Sequence, residues 1–189
     1  MQTILQAPVL IVPGIGNSGP DHWQSRWQRR YPGCTRLEVP DWDQTECADW
    51  VAAIARAVRA LGPHTRIVAH SLGCLAVAHW ATGQEATAAS ALLVAVPDPH
   101  GAAFPSEARG FTPLPEQRFA FPSLIVASDD DPYATPVHAQ RCAAMWGSAL
   151  HRAGALGHIN AASGLGDWER GWELAASISQ PGRAPAFAS

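Results

Sequence analysis

Short runs of Val, Ile, Leu and Ala, each cut off by proline, glycine or a polar residue, alternate along this chain with longer segments of helical periodicity. Pro8–Val12 breaks at Pro13-Gly14, Arg66–Ala69 runs into His70-Ser71, Ala91–Val96 stops at Pro97, and Ser123–Ser128 meets three aspartates. Thr35–Val39 alternates in polarity and predicts a more exposed strand; Leu150–Ala153 predicts a last short one. His22–Tyr31 carries Trp23, Trp27 and Arg30 at i, i+4 and i+7, the spacing of one helix face. Cys47–Leu61 places Trp50, Val51, Ile54, Val58 and Leu61 on another such stripe and closes with Gly62-Pro63, a helix stop. Leu72–Ala81, Val137–Trp146 and Trp168–Ile178 complete the helical set. Apolar strands alternating with helices predict an α/β fold, with a mostly parallel central sheet covered by helices on both faces. A chain of 189 residues suits one domain, placed at 1–180, with a loose, small-residue tail at 181–189.

Composition narrows the partners. A net charge of −3 offers no electrostatic grip on nucleic acid or an anionic membrane. No apolar run approaches the roughly 20 residues that cross a bilayer, and the start, Met1–Pro8, lacks the basic and apolar regions of a secretory leader. Cys34, Cys47, Cys74 and Cys142 are scattered, with no CxxC pair or metal-type cluster. Reduced thiols, a cytoplasmic setting and no metal are therefore expected.

In open parallel sheets, ligands bind beyond the carboxyl ends of the strands. Ser71 lies at such an end, within Ala69-His70-Ser71-Leu72-Gly73, and this segment resembles the nucleophile elbow of the α/β-hydrolases, G-x-S-x-G. The turn is sharp, so the residues two before and two after the serine must be small; Gly73 satisfies this fully and Ala69 approximately. A free serine is a poor nucleophile and needs a base, and the base needs a carboxylate to fix its tautomer. The expected order, serine then acid then histidine, is met by Asp129-Asp130-Asp131-Pro132 and by Gly157-His158. Among the aspartates Asp131 is favoured, because Pro132 stiffens its backbone; Asp129 is second, and the remaining acids are expected in a solvated turn. Of the eight histidines, His158 alone follows the acid in a loop before the last helix, and His70 is expected to line or brace the site.

An oxyanion site requires two backbone N–H donors. Leu72, directly after the serine and opening a helix, is one; Ile15, in the glycine turn Pro13-Gly14-Ile15-Gly16-Asn17, is the other. That turn also echoes a dinucleotide fingerprint, but Pro20 follows Gly14-x-Gly16-x-x-Gly19 and only Glu38 is placed as an acidic partner, so no cofactor is expected.

Val12-Pro13-Gly14 with His22-Trp23, the His70-Ser71-x-Gly73 elbow, Asp130-Asp131-Pro132 and Gly157-His158 together resemble the small serine hydrolases of the retinoblastoma-binding-protein-nine type, which include bacterial YdeN-like proteins. The resemblance implies a compact α/β-hydrolase without a large lid domain, and a triad of Ser71, Asp131 and His158. Cleavage of small carboxylic esters or amides in a shallow pocket follows, with Gly14, His70, Trp23 and Trp42 as substrate-binding residues. The Pro-rich stretch 97–122 is placed at its rim. The alternative is a protein-interaction module that keeps the hydrolase fold with vestigial activity.

Overall fold

The computed structural model describes residues 7–83 and 86–178. The chain start read above and the expected tail at 181–189 lie largely or wholly outside them. In chain order the elements are β1 (Val9–Val12), α1 (Trp23–Arg30), β2 (Cys34–Arg36), β3 (Thr45–Glu46), α2 (Cys47–Leu61), β4 (Arg66–His70) and α3 (Leu72–Ala81). They continue with β5 (Ser90–Val94), β6 (Ala108–Arg109), β7 (Ser123–Ala127), α4 (Pro136–Trp146), β8 (Ala149–Arg152), a 3-10 turn (Ala161–Ser163) and α5 (Glu169–Ser177). Six strands pair in the order β2-β1-β4-β5-β7-β8, every pair parallel.

Strand periodicity divides the interior into two cores. Leu10, Val12, Ile67, Ala69, Leu93 and Ile125 face α2, α3 and α4, where Trp50, Leu75 and Trp146 are buried. Their neighbours Val9, Ile11, Val68, Leu92, Val94 and Val126 face the other way, against Trp23 and Trp27 of α1 and Trp172 of α5. Burial on both faces is why these strands read as continuous apolar runs. The helix ends follow their chemistry. Gly62 closes α2 at φ 94°, Pro136 opens α4 behind the Thr135 cap, and Gly147 ends α4 in the left-handed region.

Two features differ from expectation. The exposed strand is shorter than 35–39: it begins at Cys34, pairs with Val9 to Ile11 of β1 and ends at Arg36, beyond which, among the described residues, only the Leu37 N–H continues the bonding, to Ile11 O. A separate two-stranded ladder, Thr45↔Ala108 and Glu46↔Arg109, is not visible in the sequence. It ties the 41–46 segment to the 97–122 stretch, which has no helix.

The strand order reverses beside β1: the chain goes first to β2, then returns to β4 on the other side. From these adjacent strands α1 leaves toward one face and α3 toward the other, which opens a crevice at their carboxyl ends.

Candidate active site

Ser71 sits in that crevice with φ 52° and ψ −126°, a strained conformation for a residue with a Cβ. The strain is held from both sides. The Ser71 N–H donates to Val94 O at 2.9 Å, and the following turn enters α3 through the Cys74 N–H to Ser71 O bond, 2.8 Å. Gly73 packs against the end of β1 so closely that a Cβ there would meet Val12 O at 2.6 Å and also the Pro13 carbonyl. A Cβ on Gly14 would lie 2.9 Å from Ser71 Cβ, so the first loop rests directly on the serine.

The Ser71 Oγ lies 2.8 Å from His158 Nε2, and His158 Nδ1 lies 2.9 and 3.0 Å from the two oxygens of Asp131. A carboxylate only accepts, so Nδ1 carries the proton and Nε2 is left to accept from the serine hydroxyl. The side chains of His158 and Asp131 are only 9% and 3% exposed. Asp131 also accepts the Tyr133 N–H at 2.9 Å, and the Tyr133 ring packs 4.4 Å from the imidazole of His158.

The other two aspartates lie exposed in a turn, as expected, and each also has a partner there. Asp130 accepts from Ser128 Oγ and the Gly157 N–H, both at 2.7 Å, anchoring the loop that delivers His158. Those two bonds, the serine's first, hold its carboxyl below the usual range. Asp129 pairs with Arg152 at 2.7 Å.

Behind His158 stands a group of rings. His70 Nε2–H donates to the His158 carbonyl at 2.9 Å, so His70 braces the histidine's backbone while lining the cleft. His22, the N-cap of α1, accepts the Gln24 N–H on Nδ1 and stacks edge-on to His70 at 4.7 Å. Burial, then the charges of Arg36 and His158, lower the His22 pKa to about 4; burial, then His22 and His158, lower that of His70 strongly. Trp23 Nε1–H donates to Ile159 O at 2.8 Å, where Ile159 adopts φ 46°. A positive φ at a β-branched residue stores strain, and the His70 and Trp23 donors hold the two carbonyls on either side of it.

Residues 14–22, 97–105 and 158–162 contribute to a cleft of about 580 Å³ around Ser71. Gly14, Ile15, His70 and Leu72 line it, as do Pro97, Phe104 and Pro105 from the Pro-rich stretch. The expectation of Trp23 and Trp42 at the rim is corrected. Trp23 is 1% exposed, because its helical spacing with Trp27 puts it on the buried stripe of α1. Trp42 packs edge-to-face on Trp50 at 5.4 Å and borders a neighbouring hollow, and its carbonyl accepts the Gly16 N–H of the first loop.

Sequence reading missed Gln24, which is fully buried and donates through Nε2 to Val12 O and Val68 O where β1 and β4 diverge. A polar residue three positions from Trp27, on its stripe, was the available signal. Asn17 and Asn160 also line the cleft unforeseen. Elsewhere, Cys142 Sγ lies 3.3 Å from His138 Nε2, and His138 Nδ1 lies 3.6 Å from Asp98. This Cys-His-Asp chain is chemically silent: the thiol is fully buried and pushed up to about 12 by that burial. Among the described residues no three His, Cys, Asp or Glu side chains are grouped to hold a metal ion. Among the same residues no helix is long and apolar enough to cross a membrane.

The signature of a serine hydrolase family matches residues 9–177 of the chain. A protein described as a YdeN-like hydrolase from Pectobacterium atrosepticum is 32% identical, with 92% of this chain and 90% of that one aligned at a TM-score of 0.80. The ydeN gene product of B. subtilis is 20% identical over 91% of this chain and 98% of its own, at a TM-score of 0.70. The type II thioesterase BorB of the borrelidin biosynthetic cluster shares the fold at 17% identity, 90% and 93% coverage and a TM-score of 0.64. None of the curated proteins matches the chain.

Proposed function

The chain belongs to the serine hydrolase family, among the YdeN-like members of the α/β-hydrolase superfamily, and we propose that it cleaves small carboxylic esters, and amides more slowly, through an acyl-enzyme on Ser71. The observation that carries this reading is the continuous hydrogen-bonded series Ser71 Oγ, His158 Nε2, His158 Nδ1, Asp131.

Ser71 Oγ attacks the substrate carbonyl while His158 Nε2 takes its proton. Asp131 holds the imidazole in the required tautomer and stabilises the imidazolium that forms. The negative charge moves to the carbonyl oxygen, where the amides of Ile15 and Leu72 receive it. Among the described residues neither amide has an acceptor within the chain, and both residues border the cleft beside Ser71. The Leu72 amide also opens α3, whose dipole favours negative charge there. Collapse of the intermediate breaks the bond to the leaving group, which takes the proton from His158. Water then enters and attacks the acyl carbon while His158 takes its proton; collapse breaks the bond from that carbon to Ser71 Oγ, Oγ takes the proton from His158, and the acid leaves.

The largely apolar loop 97–105 supports an uncharged acyl group in the cleft. Four buried, unpaired cysteines support a reducing, cytoplasmic setting. A fluorophosphonate probe tests the assignment. It should label the wild type and fail on Ser71→Ala, and Asp131→Asn should slow ester turnover by about three to four powers of ten. Labelling that persists in Ser71→Ala would refute it.

A further inference from the structure

Asn17 and Asn160 border the cleft beside Ser71, and in both the amide oxygen is already engaged. Asn17 Oδ1 accepts the Ser18 N–H at 2.7 Å and an Arg36 guanidinium N–H. Asn160 Oδ1 accepts the Ala162 N–H at 3.0 Å and caps the 161–163 turn through the Ser163 N–H. Backbone amides and guanidinium groups only donate, so the anchored atom must be oxygen in each case. Each side chain therefore keeps its Nδ2 group, with two N–H donors, available; Asn17 is exposed and borders the neighbouring hollow as well as the cleft. Among the described residues no protein acceptor meets either one. No Asp, Glu, Lys or Arg side chain among the described residues borders the cleft, and Asp131 is screened behind His158.

We infer that Asn17 and Asn160 form the leaving-group subsite, built for an uncharged alcohol that carries further oxygen acceptors, such as a polyol. This rests on the acyl-transfer reading of Ser71. In that reaction His158 Nε2 delivers its proton to the departing oxygen, so the residues that follow His158 in its loop border the departing group. Asn160 is two positions on. Asn17 belongs to the loop that the Trp23–Ile159 bond and the His22, His70 and His158 rings join to this one. An alkyl alcohol in the subsite offers these donors no acceptor in place of the water it displaces, which is unfavourable. A cationic alcohol finds donors and no carboxylate.

The test compares kcat/KM for propyl, glyceryl and choline butyrate, which share one acyl group, in the wild type, Asn17→Asp and Asn160→Asp. Aspartate keeps the oxygen that accepts the anchoring N–H groups and replaces the amide donors with a charged acceptor. The wild type should favour the glyceryl ester over the propyl ester. Each variant should lower the glyceryl-to-propyl ratio by about three- to tenfold and raise the choline-to-propyl ratio. Ratios cancel any change that the new charge imposes on His158 or on the oxyanion amides, and probe labelling of Ser71 reports that chemistry separately. Unchanged ratios in both variants, or a wild-type preference for the propyl ester, would overturn the subsite. So would a wild type that takes the probe and hydrolyses none of the three. Absence of labelling as well as turnover would instead remove the Ser71 reading on which the subsite rests.

Discussion

A methyl group on Gly73 would be driven against the carbonyl oxygens of Val12 and Pro13, and neither can retreat without moving α3 away from β1. Gly73→Ala should therefore destabilise the protein by about 3 kcal/mol, read as a lower urea midpoint. Gly14 is different in kind: its added methyl would press on Ser71 itself, 2.9 Å from Cβ and 3.4 Å from Oγ, displacing the serine more than the fold. Gly14→Ala should keep most of its stability and lose about a hundredfold in probe labelling rate; equal damage to both properties in both variants would contradict this division. The need for a small residue at 73 was legible from the elbow pattern. The part played by Gly14 was not, because its contact joins two strands that the sequence separates widely. Ala69 is accommodated because it points into the core beneath α3 and is fully buried there. The three aspartates add a limit: Pro132 singled out Asp131, which does meet His158, while the partners of the other two, Arg152 for Asp129 and the Gly157 N–H for Asp130, lie too far along the chain to be read from sequence.

Helix α1 is short, yet it bears much of the site's support. Trp23 secures the Ile159 carbonyl, Gln24 satisfies β1 and β4 where they part, and His22 caps the helix beside His70. Trp27 anchors the helix itself: its Nε1–H donates to Asp167 O at 2.7 Å, and its ring packs against Trp168 and Trp172. Trp27→Ala should cost about 4 kcal/mol, and a denaturation curve close to that of the wild type would show that α1 is held by other contacts. The stripe of tryptophans and the existence of α1 were readable from spacing alone. The β3–β6 ladder was not, since two residues on each side carry no periodicity. Its pairing is decided by where the rest of the fold leaves the two loops.

For the molecule as a whole, the buried histidines link stability to pH. His22 has a folded pKa of about 4 against an ordinary value of 6.5, so between these limits the unfolded chain binds a proton that the folded one refuses. Its contribution is complete above pH 6.5 and is lost as pH falls toward 4, amounting to about 3 kcal/mol; His70 acts in the same direction. His22→Asn retains an N-cap acceptor and removes the titration. Relative to the variant, the wild type should lose about 3 kcal/mol of stability to urea as pH falls from 6.5 to 4; a gap independent of pH would contradict the linkage. By itself the sequence determined the layered α/β class, the helices and the six strands of the main sheet, and the order of serine, acid and histidine, because those depend on local periodicity and on residues that punctuate the chain. Only the tertiary structure decided the separate partners of Asp129 and Asp130, that Trp23 braces the site from within, and that the amide oxygens of Asn17 and Asn160 are anchored beside the cleft. These are contacts between residues far apart in the chain, and their partners exist only once the sheet has assembled and brought the loops at its carboxyl edge together.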